Sequence, residues 1–331
     1  MKCGTRLSIG LLSGDIKSWR TMNILVTGAK GQLGCCLKDL VEFNGNGHPD
    51  HDSSEKNYYI FTDYEELDIT DEDAVKKFVK ENFVNVIVNC AAYTNVEKAQ
   101  TDRDTAYNVN AIGPLVLAEA AAEVGAILIH ISTDYVFKGQ RNTPVPPVPV
   151  GSDVVNYPDA ERDECFYGYS KNVGESLIMN VQNCRYIIIR TAWLYSEYGK
   201  NFVKTMVDRA KNDKRTKVVY DQTGSPTYAP DLADFIYHII EDNTHETRYL
   251  SKTGVYNFAN KGVASWYDIA RAAFVYCESN GIVSPCRSSE YPSEVIRPAY
   301  SVLDTEKTEK EFDYIIPYWR DSLMLCLASL E

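Results

Sequence analysis

Apolar residues along this chain gather in short runs, and amphipathic helical patterns fill the intervals between them. The strand-length runs lie at 23–27, 58–62, 85–90, 126–132 and 186–191. Within them Val86, Ile87 and Val88, or Ile127, Leu128 and Ile129, are apolar on successive rather than alternate positions. A strand buried on both faces reads this way, whereas a half-exposed strand alternates. Helical patterns occupy 32–42, 72–82, 105–124 and 167–180. This order predicts an α/β protein, a doubly wound parallel sheet with helices on both faces.

Two segments break the regular spacing. Residues 43–57 read as a polar loop, and the proline-rich stretch 144–151 can be neither helix nor central strand. After Arg190 the pattern becomes mixed, with a short run at 217–221 and a helix opened by Pro230 and Asp231. The sheet domain is expected over 22–191, with elements returning to it from about 217–245, and a smaller mixed α/β lobe mainly over 192–331. Met22 directly precedes the first strand, so translation is expected to start there, with 1–21 a poorly ordered leader.

Charge narrows the partners. The formal net charge of −12 and pI near 5.0 argue against a nucleic-acid or anionic-membrane surface. No apolar run approaches the ~18 residues of a membrane span. Nine cysteines, an odd total without any Cys-x-x-Cys pair, fit a reduced cytoplasmic protein. His48, Asp50, His51 and Asp52 are metal-capable, but crowded on a polar loop they read as solvated side chains, and no metal is assigned to them.

The first strand runs into GAKGQLG at 28–34, which opens a helix. Gly28, Gly31 and Gly34 permit a sharp turn and a close backbone approach, and the helix N-terminus attracts an anion. This is the dinucleotide turn of a Rossmann-type domain, so 22–191 is expected to bind NADH or NADPH. Asp63, closing the second strand, could accept hydrogen bonds from the adenosine ribose. No Arg or Lys follows it directly, which mildly favours NADH. Asp68 and Ile69 could frame the adenine, and the small residues Ala91 and Ala92 before Tyr93 would let a cofactor lie against the strand ends.

Tyr167 and Lys171 are four residues apart, and on a helix they share a face. An ammonium beside a phenol favours the phenolate and is expected to lower its pKa from about 10. Upstream, Thr133 closes a buried strand at the carboxyl edge of the sheet, where ligands bind. Its hydroxyl, the phenol and the ammonium could converge on one carbonyl oxygen.

These motifs make the chain resemble the extended short-chain dehydrogenase/reductases, and among them the dTDP-4-dehydrorhamnose reductases. The resemblance runs from about residue 23 to the C-terminus. It is carried by VNCAAYTNVEK (88–98), STDYVF (132–137), YGYSK (167–171), RTAW (190–193), DQTGSPT (221–227) and RPAYS (297–301). It implies reduction of the C4 ketone of a dTDP-sugar by NAD(P)H. Tyr167 would be the proton donor, Lys171 would bind the nicotinamide ribose and tune the phenol, and Thr133 would hydrogen-bond the substrate carbonyl. Asp134, Tyr135 and Trp193 would border the sugar. Gly31, Gln32, Leu33, Asp68, Ile69, Ala91, Ala92 and Tyr93 would contact the cofactor. Some members form a magnesium-linked homodimer through glutamates. Magnesium and a homodimer are implied here at that level only, with no glutamate assigned. The competing readings are an epimerase or dehydratase of the same fold, and a non-catalytic NADP-binding regulatory subunit. Dehydratases carry an Asp–Glu pair after the strand-end Thr, and here Asp134 is followed by Tyr135.

Overall fold

The computed structural model of the chain describes residues 21–45, 56–137, 143–147, 165–241, 249–291, 293 and 295–331. The leader proposed over 1–21, the His48–Asp52 cluster and the end of the proline-rich stretch fall almost wholly outside them.

The first half alternates as its apolar runs require. It runs β1 (Asn23–Thr27), α1 (Gln32–Phe43), β2 (Tyr58–Thr62), α2 (Glu72–Glu81) and β3 (Val86–Asn89). The short helices α3 (Val96–Ala99) and α4 (Arg103–Tyr107) follow, then a π-helical turn (Asn108–Ile112), α5 (Gly113–Val124), β4 (Ile127–Thr133), α6 (Phe166–Asn180) and β5 (Arg185–Thr191). The single helix expected over 105–124 is thus three segments. Pro114 stands in the first turn of α5 and has no N–H to continue a ladder from the preceding turn.

The second half contributes β6 (Leu194–Tyr195), α7 (Phe202–Lys211), β7 (Thr216–Val219), β8 (Thr223–Gly224), β9 (Thr227–Tyr228) and α8 (Ala229–Glu241). Then come β10 (Gly254–Asn257), β11 (Ala264–Ser265), α9 (Trp266–Tyr276), β12 (Val283–Cys286), β13 (Tyr300–Ser301), α10 (Glu306–Phe312) and α11 (Trp319–Ser329).

Six parallel strands form the main sheet in the order β10-β5-β4-β3-β1-β2. Successive residues of each strand feed opposite cores, the period-two consequence of the pleat. Ile24, Val26, Val88, Ile129 and Ile189 pack with α1 and α8, and Leu25, Ile87, Leu128 and Ile188 pack with α2, α5 and α6. Strand order reverses between β1 and β3, so a crevice opens above their carboxyl ends.

Of the segment expected to return over about 217–245, the helical part lies on the sheet and the strand part does not. β7 pairs with β12 in a separate ribbon, whereas α8 packs on α1 and β10 extends the sheet beside β5. The other late strands form small pairings, β11-β8-β13 and β6-β9, and a third core lies among α7, α9 and α11. In the proline-rich stretch Val145 is buried and makes one parallel bridge to Leu303, consistent with a segment that cannot enter a ladder.

One close approach fixes the helix that matters most. A Cβ on Gly174 of α6 would sit 2.2 Å from the carbonyl oxygen of Asn110. Asn110 in turn accepts from the Tyr93 amide (2.8 Å) and donates to the Tyr93 carbonyl (3.0 Å) and the Ser170 hydroxyl (3.1 Å). The π turn therefore pins α6 to the exit of β3.

Candidate active site

The glycine turn is tight enough to need glycine twice. Gly28 has φ +68°, and a Cβ there would lie 2.6 Å from the Ala91 amide nitrogen, while one on Gly34 would lie 2.3 Å from the Gly28 carbonyl. No side chain caps α1, because its N-cap is Gly31. The amides of the first turn thus face the crevice without a competing acceptor from the chain, a setting suited to a pyrophosphate. These features fit a dinucleotide.

A cavity of about 560 Å³ extends from this turn. Gly31, Gln32, Leu33 and Ala92 line it at one end, and Thr133, Asp134, Tyr135, Tyr167, Lys171 and Trp193 line it further on. The structure thus brings together most of the residues singled out in the sequence. Others stand apart. Asp63 accepts the backbone amides of Lys30 and Tyr64, both at 2.8 Å, and sits beside the turn outside the cavity lining. Asp68 accepts from the Thr70 amide and hydroxyl, and Ile69 is buried against Gly113. Ala91 abuts Gly28, and the Tyr93 hydroxyl donates to Asp102.

Tyr167, Lys171 and Glu175 follow one another at four-residue spacing on the buried face of α6. The Tyr135 ring meets the Tyr167 ring edge-on, with centroids 5.5 Å apart. The Thr133 hydroxyl lines the cavity with the Tyr167 phenol and donates to Asp134 Oδ1 (3.1 Å). Burial pushes the phenol above its ordinary pKa, and the neighbouring Thr133 hydroxyl only partly opposes this.

That is a correction to the sequence reading, which has Lys171 lowering the phenol. The ammonium is turned to β4 instead, where it donates to the Ile131 carbonyl at 2.7 Å and meets His130 Nε2 at 3.3 Å. Burial pushes Lys171 itself down to about 8, with Glu175 opposing. Asp134 is pushed up to about 6 by burial. Its Oδ2 has no hydrogen-bond partner, and the nearby Ser301 hydroxyl does not reach hydrogen-bond geometry. A buried acceptor left unmatched by the chain suits a hydroxylated ligand.

Several cleft residues escaped the sequence reading. Trp266 stacks on Trp193 with centroids 3.9 Å apart, and Gln32 Oε1 accepts from Ser196 (3.1 Å) and Asn201 (2.9 Å). A second cavity of about 620 Å³ shares Phe202, Trp266 and Arg297 with the first and adds Arg209, Arg215, Lys217 and Gln222. Its basic residues come from α7, the loop just before β7, β7 itself and the 295–297 segment, and the sequence analysis assigns no role to Arg209, Arg215 or Lys217. Only the RPAYS motif pointed towards one of the basic residues, Arg297. Among the described residues no group of three or more His, Cys, Asp or Glu side chains could hold a metal.

A Rossmann-type sheet, a glycine cradle at its switch point and a buried tyrosine–lysine pair define an NAD(P)H-dependent oxidoreductase of the short-chain dehydrogenase/reductase type. The family can be given more closely. The family model described as the RmlD substrate binding domain matches residues 22–331, and the chain belongs to that family, the dTDP-4-dehydrorhamnose reductases. A dTDP-4-dehydrorhamnose reductase of Aggregatibacter actinomycetemcomitans is 37% identical over 93% of this chain and 99% of its own. One of Mycolicibacterium smegmatis is 37% identical over 93% of this chain and 85% of its own. Among solved structures, the Clostridium acetobutylicum reductase superposes with TM-score 0.80 at 38% identity, covering 93% and 99% of the two chains. The Bacillus anthracis reductase, solved in complex with NADP, does so with TM-score 0.79 at 34% identity, covering 93% and 99%. No helix among the described residues is long and apolar enough to cross a membrane.

Proposed function

We propose that the chain reduces the C4 ketone of dTDP-4-dehydro-L-rhamnose, giving dTDP-L-rhamnose, with the residues of the 560 Å³ cavity as its machinery. The observation that carries this is the placement of Thr133, Tyr167 and Lys171 in one cleft with the glycine turn. The nicotinamide supplies the hydride when bound. Thr133 turns its one hydroxyl proton from Asp134 Oδ1 to the substrate ketone, which holds the ketone beside the Tyr167 phenol. Tyr167 gives its proton to O4 as negative charge develops there, and its pKa sits high enough to keep that proton until then. The Lys171 ammonium orients the nicotinamide ribose. Asp134 Oδ2 receives a sugar hydroxyl, and Trp193 covers the ring face.

The 620 Å³ cavity is the seat proposed for the nucleoside diphosphate. Arg209, Arg215, Lys217 and Arg297 gather there in a chain whose net charge is −12. The sheet lobe thus holds cofactor and the later segments hold substrate. For the cofactor, NADH is the favoured form with NADPH accepted. Asp63 carries two backbone amides, and Lys30, the basic side chain of the turn, is ion-paired with Glu65, so the rim is acidic towards a 2′-phosphate.

The test is incubation of the protein with dTDP-4-keto-6-deoxy sugars and each reduced cofactor, following nicotinamide absorbance and identifying the sugar formed. Stoichiometric consumption with a 4-hydroxy product is expected. Product without net consumption makes the chain an epimerase, and no turnover with any keto-sugar defeats the assignment.

A further inference from the structure

Beneath the cleft a hydrogen-bonded chain crosses three strands and ends on Lys171, and all its side chains are buried. It begins with a donor that cannot be reversed. The Ala91 amide donates to Asn89 Oδ1 at 3.1 Å, and the Thr27 hydroxyl donates to the same oxygen at 2.8 Å. A backbone N–H has no acceptor role, so Asn89 must present its oxygen to Ala91 and its NH2 to the other side. That NH2 meets His130 Nδ1 at 3.0 Å. His130 Nδ1 is therefore an acceptor, and the ring carries its proton on Nε2. This N–H points at Lys171 Nζ, 3.3 Å away.

The polarity has two chemical consequences. An imidazolium would set an Nδ1–H against the Asn89 NH2, donor against donor, so His130 resists protonation. Its pKa lies well below the ordinary value, from burial first and then the Lys171 charge. A neutral Lys171 amine can accept the Nε2–H and donate to the Ile131 carbonyl, whereas an ammonium has no lone pair to offer. The other groups facing Lys171 do not undo this. Glu175, one turn along α6, favours the ammonium, but its carboxylate is engaged by Arg190 of β5 and Ser132 of β4. Tyr167 and Asp134 are themselves biased by burial towards their neutral forms.

We propose that His130 is a positioning residue of the reductase reaction: fixed as its Nε2–H tautomer by Ala91 and Asn89, it seats Lys171 against the Ile131 carbonyl and favours the uncharged amine there. His130 then sets the alkaline edge of activity, above which Lys171 is no longer the ammonium that holds the nicotinamide ribose. This rests on the catalytic reading of Lys171 given above.

Two readouts test it. Nitrogen-15 spectra of the wild-type protein, whose five histidines are resolved by comparison with His130→Phe, are expected to show His130 as the Nε2–H tautomer, without titration down to about pH 5. This needs no turnover, so it stands apart from the fate of the reductase assignment. In kcat against pH, His130→Phe is expected to move the alkaline limb up by about one unit. His130→Gln, which can offer its oxygen to Asn89 and its NH2 to Lys171, is expected to leave the limb where it is. An Nδ1–H tautomer, an imidazolium at pH 6, or a His130→Phe profile lowered in height with its limb unmoved overturns the proposal. Should His130→Phe not fold, comparison with His130→Gln assigns the His130 signals, and the tautomer they report decides it.

Discussion

Two successive turns of α6 lie in the same buried seam and treat their charges in opposite ways. At Glu175 every demand is met. Its carboxylate accepts from Arg190 Nε at 2.9 and 3.2 Å, from Arg190 Nη2 and from the Ser132 hydroxyl, and both ionic side chains are fully buried. One turn earlier the accounts do not close. Lys171 faces an N–H and a neutral carbonyl, Tyr167 is pushed away from ionisation, and Asp134 keeps an unmatched oxygen. The same degree of burial thus yields an inert strut in one turn and poised groups in the next. Whether the groups are satisfied separates the two, and perturbed, unmatched groups in a cleft are where chemistry is to be sought.

Breaking the poised turn should abolish chemistry and spare the fold. Tyr167→Phe is expected to lower kcat by about 10²–10⁴, with cofactor affinity and melting temperature near wild type, as read by steady-state kinetics and a thermal melt. Breaking the strut should do the reverse. Glu175→Ala leaves the Arg190 guanidinium buried beside a cavity and is expected to cost about 3–5 kcal/mol in chemical denaturation. Replacing both partners together by apolar residues should recover most of that loss. If Glu175→Ala proves as stable as wild type, the contrast between the turns is lost.

Asp134 allows the comparison to be titrated. Its carboxyl has a folded pKa near 6 against an ordinary value of 3.8, so folding takes up a proton between those values. Stability from this group is therefore full below about pH 4 and falls as pH rises through 6. Asp134→Asn removes the dependence. It should be more stable than wild type at pH 8, by at most about 3 kcal/mol, with the gap closing as pH falls from 6 to 4. Denaturation at several pH values reads this directly. Turnover should fall at the same time, because the unmatched oxygen is the one assigned to the sugar.

What could be read from the sequence follows the same physical divide. The sheet strands were legible because burial on both faces leaves consecutive apolar residues, as at Val86–Asn89 and Ile127–Thr133. Tyr167, Lys171 and Thr133 were legible from their spacing and their place at strand and helix ends. β10 was not, since four residues carrying one glycine give too weak a signal outside the sheet that pairs them. His130 was invisible for a different reason. It lies inside an apolar run, and its partners on β3 and α6 meet it only after the strands pair in register. The direction of the Tyr167 shift was misread because four-residue spacing reports a shared helix face. It does not report that the lysine is turned to β4. Likewise Arg209, Arg215 and Lys217 are ordinary surface cations until folding gathers them around one cavity.

The smallest effect is expected where the chemistry of the strut is repeated near water. Glu97 on α3 accepts from Arg297 Nη2 at 2.8 Å and from Ser293 at 2.9 Å, joining the sheet lobe to the 293–297 segment across the cleft. The pair is the carboxylate–guanidinium pair of Glu175 and Arg190, but its side chains are 41% and 34% exposed. Solvent screens it, so Glu97→Gln is expected to change folding stability by less than about 1 kcal/mol, several times less than the change at Glu175. Arg297 lines both cavities, so freeing its guanidinium should instead show as a few-fold change in KM for the nucleotide sugar, weaker at high salt, with kcat unaltered. Kinetics at two ionic strengths beside a denaturation curve separate the outcomes. A loss of stability matching that of Glu175→Ala would mean that burial does not decide what an ion pair contributes in this molecule, and the contrast between the two turns of α6 would need another cause.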